Sequence, residues 1–397
     1  MQTRTLAARL AFAAALFVSA GCGMKPYNQK AEATAQWNRA RASVLASLAK
    51  DQLQSGNFDK AERTLNDAIA LDPKNANLRV LAAKLAIEKG RLEVADRELK
   101  SAREFDPKMA EADYLHGVVY ERWQRPEQAL ACYASASDKQ PGELAYLLAR
   151  AETMALIGQG DEAVALLKDK ADHFEHSAAI RDAIGQLLVR QGRYAEAVVV
   201  LRQAVVLQTD DDKLREHLAL AQFRAGQHRE AADGIQRLVA KDEFKKRADL
   251  FLALGECQLT TGKLRDARGS FETAARLDGG NAQAWLCVAK VALRLGDLQR
   301  CDLALRKALT LDAADPQPSL LLGYLRLKQQ RFGEAVHSFR RAAALDPSDT
   351  TATCMIGYAL TKQGKHDEAM QFYAKALRQK PNDPLASKLM ASVDVSE

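Results

Sequence analysis

Six basic residues recur at one place in a 34-residue rhythm. Arg122, Arg190, Arg224, Arg294, Lys328 and Lys362 stand 34 residues or a multiple of it apart, with two extra residues inserted once, between Arg224 and Arg294. The chemistry such a row offers is recognition, because guanidinium and ammonium groups carry several N–H donors and a fixed charge that suit carboxylates. The position just before it is largely apolar, with Val189, Phe223, Leu259, Leu293 and Leu327. An apolar strip therefore runs beside the charges.

Reactive side chains are sparse. Apart from Cys22, the cysteines Cys132, Cys257, Cys287, Cys301 and Cys354 are odd in number and form no CxxC pair. Cys301 takes a place that Ala holds in the other copies of the rhythm, so it reads as a small buried thiol. A disulfide between Cys257 and Cys287 stays open for an exported chain. The seven His residues are scattered, and His173 and His176, three apart, have no Cys or further His beside them, which is poor for a metal. The sequence has no phosphate-binding glycine loop, nucleophile elbow or comparable catalytic signature. It reads as a non-enzyme without metal or cofactor. Asp210-Asp211-Asp212 and Lys245-Lys246-Arg247 are short runs of opposite sign between repeats and read as solvated.

The repeat itself must position the basic row. Its clearest copy runs from Thr350 to Asp383. Two apolar stripes at helical period, Ile356, Gly357 and Leu360, then Ala369, Phe372, Tyr373, Ala376 and Leu377, are separated by Gln363-Gly364-Lys365. This predicts two helices joined by a tight turn. Gly364 can take the left-handed conformation that ends the first helix, and Pro381 stops the second. A small residue opens the second helix of every copy, at Ala61, Ala95, Ala129, Ala163, Ala197, Ala231, Ala267, Cys301, Ala335 and Ala369. The turn glycine lies five residues earlier, with Gln124 and Gln330 replacing it in two copies. Ten copies in phase exclude coincidence.

These marks resemble the tetratricopeptide repeat family, whose pattern places Leu-Gly, Tyr, Ala, Phe, Ala and Pro at fixed offsets. The fit is visible in Phe251, Leu254, Gly255, Ala267, Phe271 and Ala274, and again in Leu322, Gly323, Ala335, Phe339, Ala342 and Pro347. The resemblance implies an all-α chain, a superhelical solenoid of about ten helix hairpins over residues 42–383, with residues 384–397 as a C-terminal capping helix. It also implies that first helices line a concave groove into which the thirteenth position of each repeat points. That places Arg122, Arg190, Arg224, Arg294, Lys328 and Lys362 in the groove, with Phe223, Leu259, Leu293 and Leu327 beside them. Gln54, Leu156 and Thr260 occupy the same row without charge, and Glu88 with the opposite one. The expected partner is a protein or peptide with an acidic or C-terminal segment. From the fourth to the eighth copy the terminal Pro gives way to Glu175, Thr209, Glu243, Gly279 and Ala313, so the middle is expected to be loosest, with a bend near Lys241 to Arg247.

The N-terminus is a different object. Arg4 and Arg9 precede an apolar run from Leu10 to Val18 that is short for a membrane span, followed by Ser19-Ala20-Gly21-Cys22. These last four resemble the bacterial lipobox, which implies a signal peptide over 1–21, lipidation of Cys22, and attachment to the outer membrane facing the periplasm. Residues 22–41 then comprise the lipidated Cys, a polar tether and an N-terminal capping helix containing Trp37. The net charge of +6 falls to +4 once Arg4 and Arg9 are removed, and no long basic run points to nucleic acid. Together these features suggest a lipid-anchored scaffold for protein partners in bacterial envelope assembly or secretion, similar to the tetratricopeptide lipoproteins of pilus assembly. An adaptor for cell-wall enzymes or exopolysaccharide export is the alternative. A glycosyltransferase-associated subunit is a third reading.

Overall fold

The computed structural model describes residues 29–394; Cys22, the signal-peptide segment and most of the tether lie outside them. The described residues form twenty-one α-helices and no strand. By contact the chain divides after Glu175 into two compact units. In the first, hairpins pair α1 (Gln29–Gln54) with α2 (Phe58–Leu71), α3 (Ala76–Glu88) with α4 (Leu92–Phe105), α5 (Ala110–Arg122) with α6 (Pro126–Lys139), and α7 (Leu144–Leu156) with α8 (Gly160–Ala171).

The second unit continues with α9 (Ala178–Arg190) and α10 (Tyr194–Leu207), α11 (Asp212–Arg224) and α12 (His228–Val239), and α13 (Ala248–Thr260) and α14 (Leu264–Leu277). Then come α15 (Ala282–Leu295) and α16 (Leu298–Leu311), α17 (Pro316–Lys328) and α18 (Phe332–Leu345), and α19 (Thr350–Thr361) and α20 (His366–Gln379). A last helix, α21 (Pro384–Asp394), packs on α20 and α19. Each unit is a stack of hairpins in which a helix touches its neighbours in sequence. The stretch 31–40, expected to be helical and to lead into the first repeat as a cap, is continuous with that repeat's first helix.

Turn chemistry explains where the helices break. Every turn glycine lies at positive φ, and Gln124 and Gln330 are held in the same left-handed region at φ 57° and 60°. In the ninth hairpin the Gln330 amide donates to Leu327 O and the Arg331 amide reaches back to Arg326 O, closing the helix end as a glycine would. A side chain there works against the backbone by about 1–2 kcal/mol. Gln330→Gly is therefore expected to stabilise the chain by roughly 1 kcal/mol, read as a raised urea midpoint at unchanged slope.

The spacers set how closely the helices approach. All ten residues that open a second helix are buried, Cys301 included. Across each hairpin a second small residue sits under one large side chain. A Cβ added to Gly117, Gly185, Gly255, Gly323 or Gly357 would lie within 3.0 Å of Tyr133, Leu201, Phe271, Phe339 or Tyr373 respectively. The aromatic partners all lie over glycine; where Ala replaces it the partner is aliphatic, as in Ala49 with Leu65, Ala83 with Leu99, Ala219 with Ile235, and Ala289 with Leu305. The bulkiest partners thus stand over the smallest residues, as close packing requires.

Two details depart from the regular repeat. The longer connection at Lys241 to Arg247 is pinned in place, because Phe244 is buried in the core with Leu238 and Leu250 and Arg247 pairs with Glu216 and Asp249, both at 2.7 Å. The division between compact units follows Glu175, the first place where the terminal Pro is lost. The five cysteines in the described part are all buried and free, so the Cys257–Cys287 bond left open above is not formed. Burial pushes both of those thiols up to about 11, which keeps them protonated and unreactive.

Candidate functional site

The basic row does not behave as one set. In the first unit the Arg122 guanidinium donates to Ile87 O at 2.7 Å, so it caps the end of the preceding first helix. Lys328 does the same to Leu293 O at 3.3 Å in the second unit. Each adds a second donor to a last-turn carbonyl that already accepts from the turn glycine, Gly90 for Ile87 O and Gly296 for Leu293 O, at the helix end where a cation is favoured. By contrast Arg190, Arg224 and Arg294 are exposed and make no hydrogen bond or ion pair within the described residues. The Arg224 guanidinium lies 5.7 Å from the Phe223 ring centroid, and the Lys362 ammonium 5.5 Å from that of Tyr358, both cation–π distances.

Arg190 and Arg224 meet at a cavity of about 580 Å³ on repeats five to seven. First helices α9, α11 and α13 supply its walls. Val189, Leu220, Phe223 and Leu252 make the apolar part, His217 and Gln186 lie between the helices, and Asp249 and Glu256 come from α13. Leu259 is half-buried but does not line it, and Arg294, Leu293, Leu327 and Lys362 belong to later repeats. Leu156, the uncharged member of the row in repeat four, is 70% exposed.

The acidic side of this cavity was not found in the sequence. Asp249 and Glu256 sit at the second and ninth positions of their repeat, and Gln186 and Leu220 also at the ninth. Stepping back from position thirteen by four, four and three residues stays on one helix face, so the signal was available. Asp249 is held by Arg247 through bonds of 2.9 and 2.7 Å, and this lowers its pKa. Glu256 makes no ion pair among the described residues. The site therefore presents two unpaired cations, an aromatic surface and one unpaired carboxylate.

His217 couples two repeats at the cavity wall. Its Nδ1 donates to Asp182 at 2.7 Å, and Gln186 donates to the other oxygen of the same carboxylate at 2.7 Å. The bond to Asp182 raises the His217 pKa above its ordinary 6.5, against the opposing effect of burial. A raised folded pKa adds stability that is complete below 6.5 and is lost as pH rises through the folded value. The stability gap between the native chain and His217→Gln is therefore expected to shrink on going from pH 6 to pH 8, measured by urea unfolding at each pH.

A second ionisable cluster lies in the first unit, between repeats two and three. Asp113 is fully buried and receives Ser135 at 2.8 Å, the Lys139 ammonium, and Arg103 at ion-pair distance. Nearby His116 bonds Asp96 at 2.8 Å through Nε2 and accepts from Arg103 at Nδ1, and burial pushes its pKa down. A neutral His with both nitrogens used fits that lowered value. The cluster ties one hairpin to the next.

Residues 31–118 match the family model for the tetratricopeptide repeat. The hairpins in that span are tetratricopeptide repeats. Residues 211–396 match the model of the cilia and flagella-associated protein 70 C-terminal domain. Among solved structures, a tetratricopeptide repeat protein from Parabacteroides merdae is similar at 19% identity, covering 64% of this chain and 99% of its own, with a TM-score of 0.46. Yeast Tom70 is similar at 13% identity over 89% of this chain and 88% of its own, at 0.41. MamA from Desulfovibrio magneticus is similar at 17% identity over 44% and 98%, at 0.41. No curated protein matches the chain. A tetratricopeptide array is a scaffold that binds protein or peptide partners, and the cavity on repeats five to seven lies on the helices such arrays use.

Proposed function

We propose that this tetratricopeptide protein is a lipid-anchored adaptor of the bacterial envelope, held at the outer membrane through Cys22, which captures protein partners during assembly or secretion. The observation that carries the binding part is the pair of unpaired guanidinium groups, Arg190 and Arg224, beside Phe223 in one cavity. Neighbouring first helices lie about 10 Å apart, and an extended peptide advances ~3.3 Å per residue. A carboxylate on a partner segment thus meets one Arg, and a second carboxylate about three residues along meets the other. An apolar residue between them rests on Phe223 and Leu220, and a basic or amide group satisfies Glu256. This partner segment is acidic with a polar or basic end, a narrower description than an acidic stretch alone.

The anchoring part rests on Ser19-Ala20-Gly21-Cys22 following a short apolar run. No helix among the described residues is long and apolar enough to cross a membrane. Cys22→Ala, exported normally, is expected to leave the membrane pellet for the soluble fraction after a high-salt wash. Retention of the variant in the pellet would remove Cys22 from its role. Affinity purification of the native chain from detergent-extracted membranes identifies the partner; proteins of secretion or pilus assembly would support the pathway proposed, and cell-wall synthases would replace it.

A further inference from the structure

The first hairpin exposes a face that other hairpins of the same unit bury. The third residue of the repeat, on its first helix, is buried in repeats two to four, as Leu78, Ala112 and Tyr146. In the second unit the same holds for Leu214, Leu250, Ala284 and Ala352, and α21 covers the last hairpin with Ala386 in that position. In repeat one the position is Val44, which is 70% exposed, and with it Leu48 at 47% and Trp37 at 64%. Spacings of seven and four put the three on one face of α1. Lys30 and Arg41, seven before and four after Trp37, lie on that face too and form no ion pair among the described residues.

We infer that this face of α1 lies on the headgroup region of an anionic bilayer. The inference rests on the reading of Cys22 as the lipid anchor, which fixes where the chain ahead of the helix ends. Gln29 is seven residues from Cys22, at most about 25 Å when extended, so the start of α1 is held near the lipid surface. The side chains suit that place: tryptophan concentrates at membrane interfaces, and Lys and Arg reach past apolar neighbours to anionic headgroups. A second copy of the chain fits less well. Three exposed side chains provide a few hundred Å², roughly what an ordinary monomer surface tolerates, against about 800 Å² per partner in a stable dimer.

The test uses the full chain with Trp123→Phe and Trp285→Phe, which leaves Trp37 as the reporter of the three tryptophans. The acylated protein is reconstituted in vesicles of phosphatidylethanolamine and phosphatidylglycerol. Lipid brominated near the headgroup end of its chains is expected to quench at least half of the emission, while aqueous acrylamide loses most of its effect. Adding Lys30→Glu and Arg41→Glu should reverse both changes. Full acrylamide quenching in a chain whose Cys22 takes up labelled fatty acid would overturn the docking while leaving the anchor. If Cys22 takes up no label, the anchor reading fails, and the unacylated chain is added to the same vesicles: lipid quenching then still supports the docking, and its absence refutes it. Shielding of Trp37 from both quenchers together with a doubled mass would assign the face to a second copy.

Discussion

Arg190→Glu with Arg224→Glu abolishes partner capture and leaves helicity and the unfolding midpoint unchanged. Both guanidinium groups are exposed at one cavity and make no hydrogen bond or ion pair within the described residues, so their removal costs only the exposed Arg224–Phe223 cation–π contact. Reversal places two new carboxylates beside Asp249 and Glu256 and turns attraction for an acidic segment into repulsion. At about 1–1.5 kcal/mol for each reversed charge in a partly screened groove, affinity falls on the order of 100-fold. Capture by the native chain should weaken with salt for the same reason. Arg122→Glu is the informative control. It loses the bond to Ile87 O and should lower the stability of the first unit by about 1 kcal/mol without touching capture. Undiminished capture by the double variant would move the binding site off this face.

Gly323→Ala destabilises the second unit by about 1–3 kcal/mol, the usual cost of forcing one carbon into a filled contact. The new methyl would stand within 3.0 Å of the Phe339 ring, which is itself fully buried. Ala335→Leu, at the neighbouring spacer, should cost as much. The sharper expectation concerns the pair. Phe339→Leu alone leaves a cavity and costs about 1 kcal/mol or more, yet in the same chain as Gly323→Ala it rebuilds the Ala–Leu contact that repeats one, two and eight already use. The double variant should be more stable than Gly323→Ala alone. Simple additivity of the two losses in urea unfolding would show that the helices do not meet through this pair.

The features common to every copy were legible in the sequence, because a period reveals what each hairpin needs. The spacer alanines and Cys301 were placed by counting, and each is buried. Gln124 and Gln330 were recognised as standing in for turn glycines, and both adopt the left-handed backbone. What depends on single residues was not legible. Nothing periodic marks Asp113 or His116, whose partners are single side chains on other helices, Asp96 and Arg103 for His116 and Ser135, Lys139 and Arg103 for Asp113. Phe244 resembles any loop residue until the core beside it is seen. The basic residues at position thirteen share a place in the repeat, but a long cation there can reach a neighbouring carbonyl or a ligand. Only the backbone it faces decides which, as Arg122 and Arg190 show.

The packing of each helix on its neighbours in sequence also governs how the protein responds to pulling. Within either unit, hairpins are joined in series, so tension along the chain does not load all contacts at once. The end hairpin, held on one side, gives way before those held on both. Each released repeat of 34 residues lengthens the chain by roughly 100 Å, at ~3.4 Å per residue less the thickness of the folded hairpin. A tether of this kind yields in small steps and can re-form one step at a time.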